Sequence, residues 1–321
     1  MSTGSNMREP KFKKLLEVAV DPSSSKRGSF EKKHEENFSS SMWASHNGKY
    51  SGVQKSEEKL PNSIFACGMS DHGPFLRTLT NETDDLLELP DSASETVLDE
   101  IKEFIILEEE FRKRNLIFKR GILLYGPPGS GKSCTVRLLI NLVIEQLDGI
   151  ALMIENPHEA VECLHLIRQI EPKRQIIAIL EDIDTIIRRY DEHTLLALLD
   201  GEHQVDNIVY VATTNYPELL DDRFKDRPSR FDSIIMIDLP SDESRRAYLK
   251  AKEPSLSGDE LEKYVKASKG FTLSHLRELI ILTQCFKKPF DESVKRVRQI
   301  MQQNISSTDT AKRTKPGFYR D

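Results

Sequence analysis

The segment GILLYGPPGSGKS, from Gly121 to Ser133, leaves this chain few folds to choose from. Ile122, Leu123, Leu124 and Tyr125 form a short apolar run, and Gly126 to Ser133 satisfy G-x-x-x-x-G-K-[ST] at every position. A buried strand therefore ends in a glycine loop that opens a helix. Gly126, Gly129 and Gly131 let the backbone turn successive N–H groups toward one anion, and the positive end of the helix dipole starts at the same place. Lys132 is placed to reach the β- and γ-phosphates of a nucleotide, and the Ser133 hydroxyl to sit on a magnesium ion. The expected phosphate cradle comprises Gly126, Pro127, Pro128, Gly129, Ser130, Gly131, Lys132, Ser133 and Cys134.

The 321 residues allow one large domain or two small ones. A formal net charge of −6 and a pI near 5.9 supply no overall drive toward nucleic acid or an anionic membrane. Cys67, Cys134, Cys163 and Cys285 contain no C-x-x-C pair, which argues against a disulfide framework or a thiolate zinc site and for a reducing, intracellular setting. No apolar run reaches the roughly 18 residues of a membrane span, and the start lacks the apolar core of a signal peptide. The expectation is a soluble, cytoplasmic protein. His158, Cys163 and His165 do not share one helix face, so their spacing argues against a metal site.

Residues 1–60 are rich in Ser, Lys and Glu, and are expected to lack a fixed fold. Within them KFKKLLEVAV (Lys11 to Val20) reads as a solvated tail or a segment that folds on a partner. Residues 61–85 form a β lead-in, in which Ile64 to Leu79 reads as two strands around a turn. Ser92 or Ser94 is positioned to cap a helix carrying Val97, Leu98, Ile101, Phe104 and Ile105 on one face. After the glycine loop, helix and strand alternate: a helix to Leu147, a strand over Gly149 to Glu155, a helix capped by Asn156 and Pro157, the strand IIAIL, a helix holding Thr194 to Leu199, and the strands NIVYVATTN and IIMIDL. This order predicts an α/β fold, a mostly parallel sheet with helices on both faces spanning 86–240. Residues 241–304 show only helical spacing and predict a small helical lid, with a tail over 305–321.

A phosphate cradle binds; hydrolysis also needs carboxylates on a neighbouring strand. Glu181, Asp182 and Asp184 stand at the C-terminal end of IIAIL, where ligands gather in open α/β sheets. One acid, with Ser133, is expected to hold magnesium and the other to orient or deprotonate the attacking water.

GILLYGPPGSGKS, LEDID, LLALLDG, ATTNYPELLD, RPSRFD and GFTLSHL occur in an order that resembles the AAA ATPases, over roughly Leu86 to Gln303. The resemblance implies an Mg-dependent ATP hydrolase, working as an oligomeric ring, a hexamer, that remodels a client protein or complex. It also implies that Asn215 is the residue that polarises the water and reads the γ-phosphate, and that Arg227 and Arg230 are the arginines that reach a neighbouring subunit's site. An ATP-controlled assembly scaffold with little turnover is the alternative. A nucleic-acid motor is argued against by the acidic charge.

Three departures from the family pattern stand out. The acids read Glu181 then Asp182 where most members read Asp-Glu, so Glu181 aligns with the metal carboxylate and Asp182 with the base. A similar Glu-Asp order occurs in the AAA translocase that inserts the Rieske protein in the mitochondrial inner membrane. The segment Asp221 to Asp226 is one residue longer than usual, which leaves Arg227 and Arg230 as alternatives for the reaching arginine. No Phe, Tyr or Trp occurs between Leu147 and Ile176, where peptide-threading members carry an aromatic pore loop.

Overall fold

The computed structural model describes residues 42–46, 49–53, 58–80, 87–90, 92–190, 192–200, 205–225 and 229–313. The expectations for Lys11–Val20 and for Arg227 lie outside these residues. Strands β1 (Met42–His46) and β2 (Lys49–Val53) precede β3 (Ile64–Ser70) and β4 (Gly73–Leu79). Helices α1 (Ala93–Ile106) and α2 (Glu108–Lys113) lead to β5 (Lys119–Tyr125), and α3 (Lys132–Asn141) follows, ending in a wider π turn over Leu142–Gln146. Then come β6 (Ile150–Met153), α4 (Pro157–Ile170), β7 (Ile176–Leu180), α5 (Ile183–Arg189), α6 (Glu192–Asp200), β8 (Ile208–Thr214), α7 (Asp222–Lys225) and β9 (Ser233–Met236). The remaining helices are α8 (Asp242–Lys252), α9 (Gly258–Ala267), α10 (Leu273–Ile280) and α11 (Phe290–Arg313).

The strands join in one nine-stranded sheet with the order β1-β2-β4-β3-β6-β7-β8-β5-β9. Its first part is antiparallel, and from β3 onward every pair runs parallel. Alternation along β7 shows why both faces are covered: Ile176, Ala178 and Leu180 enter one apolar cluster with α4 and α6, while Ile177 and Ile179 enter the other with α1 and α3. The helical part has its own core around Leu249, Phe271, Leu276 and Val297, onto which Leu87 and Leu89 also pack. Among the described residues no helix is long and apolar enough to cross a membrane.

Local chemistry sets the helix starts. The Asn156 side chain accepts from His158 N, with Pro157 in the first turn of α4. Thr272 and His275 form a reciprocal capping box at α10. Ser92 does precede α1, yet its hydroxyl donates to Leu89 O at 2.7 Å instead of capping. The last helix runs to Arg313, into the span expected to be a tail.

The expectation for residues 1–60 needs a correction, because β1 and β2 lie within it. Trp43 is fully buried beside Phe65 and Leu76, and its indole N–H donates to Glu171 Oε1 at 2.9 Å. The same oxygen accepts from Leu60 N at 2.8 Å. Burial pushes the Glu171 carboxyl up, and these two donors pull it back. One aromatic side chain in a polar stretch carries no periodic signal; pairing with β4 and packing on α4 supply the order that composition does not. The lead-in is likewise part of the main sheet, since β3 pairs in parallel with β6.

Replacing a fully buried aromatic by alanine removes both its apolar area and its neighbours' contacts, at about 3–5 kcal/mol. Trp43→Ala is therefore expected to lower the unfolding free energy by about that amount in urea titrations followed by circular dichroism. A loss below about 1 kcal/mol contradicts the packing of β1 on this core.

Candidate active site

Three adjacent strands deliver the site. In the order β7-β8-β5 the acids follow β7, Asn215 follows β8 and the glycine loop follows β5. The loop's turn depends on backbone that residues with a Cβ rarely adopt: Gly129 has φ +76°, and Gly131, at the start of α3, has φ +119°. A Cβ on Gly129 would also lie 2.7 Å from Ser274 Oγ of α10, so the loop and the first turn of α10 approach each other through this glycine.

The ammonium of Lys132 is the focus of the contacts. It donates to Gly126 O at 2.8 Å, to Pro127 O at 3.0 Å and to Asn215 Oδ1 at 2.6 Å. Burial pulls its pKa below the usual lysine value, opposed by the Asp182 carboxylate. The Asn215 amide turns its other end to Asp182, with Nδ2 donating to Oδ1 at 3.3 Å. Asp182 has φ +48°, a left-handed backbone uncommon outside glycine, and its N–H donates to Thr213 Oγ1 at 3.0 Å. Asp184 points inward, 5% exposed, where its carboxylate accepts from Thr214 Oγ1 and Arg188.

Lys132, Asp182, Thr213 and Asn215 line a cleft of about 370 Å³. Pro128, Gly129, Gly131, Lys132, Ser133 and Cys134 form one wall, and Glu181, Asp182, Thr213 and Asn215 another. The helical part closes it with Tyr248, Leu273, Ser274 and Arg277, and Leu87 and Leu89 complete the lining. Gly126 and Pro127 contribute the carbonyls on Lys132, and Ser130 lies buried with its hydroxyl lacking a protein partner. A cation, a hydroxyl and two carboxylates facing one glycine cradle fit a magnesium nucleotide. Tyr248, Leu273 and Leu87 were not among the expected site residues. Leu87 and Tyr248 lie in stretches without a motif, and GFTLSHL, which holds Leu273, pointed to a lid helix and not to the nucleotide; only folding brings them to the loop.

The two candidate arginines separate. Arg230 is 6% exposed; its Nε donates to Asp200 Oδ2 at 2.9 Å and its guanidinium to Arg223 O. Asp200 is also bound by Ser229 Oγ at 3.0 Å. Arg230 is thus turned into its own chain, contrary to the expectation that it reaches outward. Arg227 lies outside the described residues.

Residues 122–239 match the family described as ATPase family associated with various cellular activities (AAA). Among curated relatives, a proteasome-activating nucleotidase of Thermococcus onnurineus is 31% identical over 205 residues, covering 57% of this chain and 51% of that protein. A cell division cycle protein 48 homolog of Archaeoglobus fulgidus is 29% identical over 188 residues, covering 53% of this chain and 26% of that protein. An ATP-dependent zinc metalloprotease FtsH 1 of Thermomicrobium roseum is 28% identical over 244 residues, covering 68% and 36%. The chain thus spans about half the length of the first relative and about a quarter to a third of the other two.

Removing one partner of a buried ion pair leaves an uncompensated charge and costs about 3–5 kcal/mol. Arg230→Ala is accordingly expected to destabilise the isolated chain by about 3 kcal/mol in urea unfolding, an effect that a solvent-facing arginine does not produce.

Proposed function

We propose, from the premise that this chain carries an AAA ATPase module, that it hydrolyses ATP with magnesium and that a ring of its copies couples the hydrolysis to remodelling a protein client. The observation that carries the reading is the Asn215 amide held between the Lys132 ammonium and the Asp182 carboxylate. A group so placed senses the terminal phosphate and the attacking water together.

In this reading the loop from Gly126 to Cys134 holds the phosphates and Lys132 neutralises their charge. Magnesium, held by Ser133 and Glu181 with Asp182 beside them, would draw charge from the phosphate oxygens. Asp182 orients or deprotonates the water, and Asn215 fixes that carboxylate. Arg227 meets transition-state charge on a neighbouring copy, worth about 10³–10⁵ in rate where such a finger operates. Arg230 is tied to Asp200 of its own chain. The working units are a nucleotide-binding domain built on the nine-stranded sheet and a helical lid beginning near residue 241, with the N-terminal residues recruiting the client inside the cell. The names of two relatives, one proteasome-activating and one an ATP-dependent protease, support a protein client.

The Glu-Asp order motivates one other reading, a scaffold that assembles with ATP and scarcely turns over. Phosphate release measured at concentrations where the chain is assembled separates the two.

Lys132→Ala is expected to abolish ATP binding measured by calorimetry. Asp182→Asn is expected to keep binding and to lose about 10²–10⁴ in turnover. Hydrolysis by Asp182→Asn at the wild-type rate removes Asp182 as the base.

A further inference from the structure

Asp184 is a buried carboxylate that the proposed chemistry does not use, and its contacts lead back to the site. Its Oδ1 accepts from the Thr214 hydroxyl at 2.9 Å. The Thr214 oxygen in turn accepts from Tyr216 N at 3.0 Å, so the hydroxyl staples the chain on both sides of Asn215. Thr214 is fully buried at the end of β8. The other oxygen of Asp184, Oδ2, accepts from an Arg188 guanidinium nitrogen at 2.9 Å, one turn along α5. Arg188 is held further by Asp184 O at 3.1 Å and Thr185 Oγ1 at 3.2 Å, while its side chain stays 66% exposed.

We propose that Asp184 is a positioning residue for ATP hydrolysis: anchored by Arg188, it holds Thr214 so that Asn215 keeps its bridge between Lys132 and Asp182. This rests on the ATPase reading above and adds a residue to it. The physical argument is one of orientation. Asn215 makes bonds of 2.6 Å and 3.3 Å to two residues on two other elements, so a small turn of its backbone breaks one of them. Thr214 and Tyr216, its immediate neighbours, share one hydroxyl, and Asp184 sets where that hydroxyl points. Among the described residues the carboxylate bonds to Thr214 and Arg188, neither of them in the phosphate loop, so its effect falls on the chemical step and not on nucleotide affinity. Arg188 reaches solvent, so the hold on Asn215 begins at the surface.

Steady-state hydrolysis by the full-length chain tests this with Thr214→Val, Thr214→Ser and Asp184→Asn. Misplacing a catalytic group by about 1 Å costs up to about 10²-fold, so Thr214→Val is expected to lower kcat by about 10-fold or more with KM for ATP within about twofold. Thr214→Ser keeps the hydroxyl and restores kcat, which loss of packing alone does not explain. Asp184→Asn keeps the shape but loses the charge facing Arg188, and is expected to lower kcat in the same direction at unchanged KM. It serves also if Thr214→Val fails to fold. Wild-type kcat in Thr214→Val or in Asp184→Asn, or equal losses in kcat and ATP affinity, overturns the proposal while leaving the ATPase reading intact. No turnover by the wild-type assembly overturns both.

Discussion

A buried ammonium needs acceptors, and around Lys132 the three acceptors come from two parts of the chain. Two are carbonyls of its own loop, Gly126 and Pro127, and the third is the side chain of Asn215, far along the sequence. Removing a lysine from water is costly unless hydrogen bonds replace the lost hydration. The charge therefore favours only those arrangements that bring the ends of β5 and β8 together in register. That register is present, with Tyr125 opposite Thr214. The acids of β7 reach the same cleft because β7 is the next strand over.

The rest of the architecture serves this meeting point. Strands β7 and β8 are buried along their whole length, which holds the positions of the loops that leave them. Helix α10 approaches the loop from the helical part, with Ser274 N donating to Gly129 O at the long distance of 3.5 Å. The two parts each keep an apolar core of their own and meet at this loop. Arg277 and Tyr248 face the cleft from the helical side.

Much of this was legible from residue patterns. The glycine motif located the strand, loop and helix, and the acids after a continuous apolar run placed the facing wall. Pro157 after Asn156 marked the start of α4 correctly, because both act through local backbone geometry. What was not legible depends on contacts between distant residues. Trp43 gains its order from Glu171 and from strand pairing, and nothing in its own neighbourhood announces either. Arg230 lies in a motif that implied an outward arginine, and it turns inward because Asp200 is there to receive it. Thr213 and Thr214 looked like ordinary strand residues, although their hydroxyls hold Asp182 and Asp184.

The hairpin of β1 and β2 carries a practical consequence for anyone shortening this chain. It caps the outer edge of β4, whose backbone groups pair with β2 from Phe75 to Arg77. A fragment starting near residue 60, a natural choice from composition alone, would bare that edge and uncover Phe65 and Leu76 beneath it. Open strand edges over apolar side chains recruit other chains, so such a fragment would tend to clump in expression while one starting before Met42 stays dispersed.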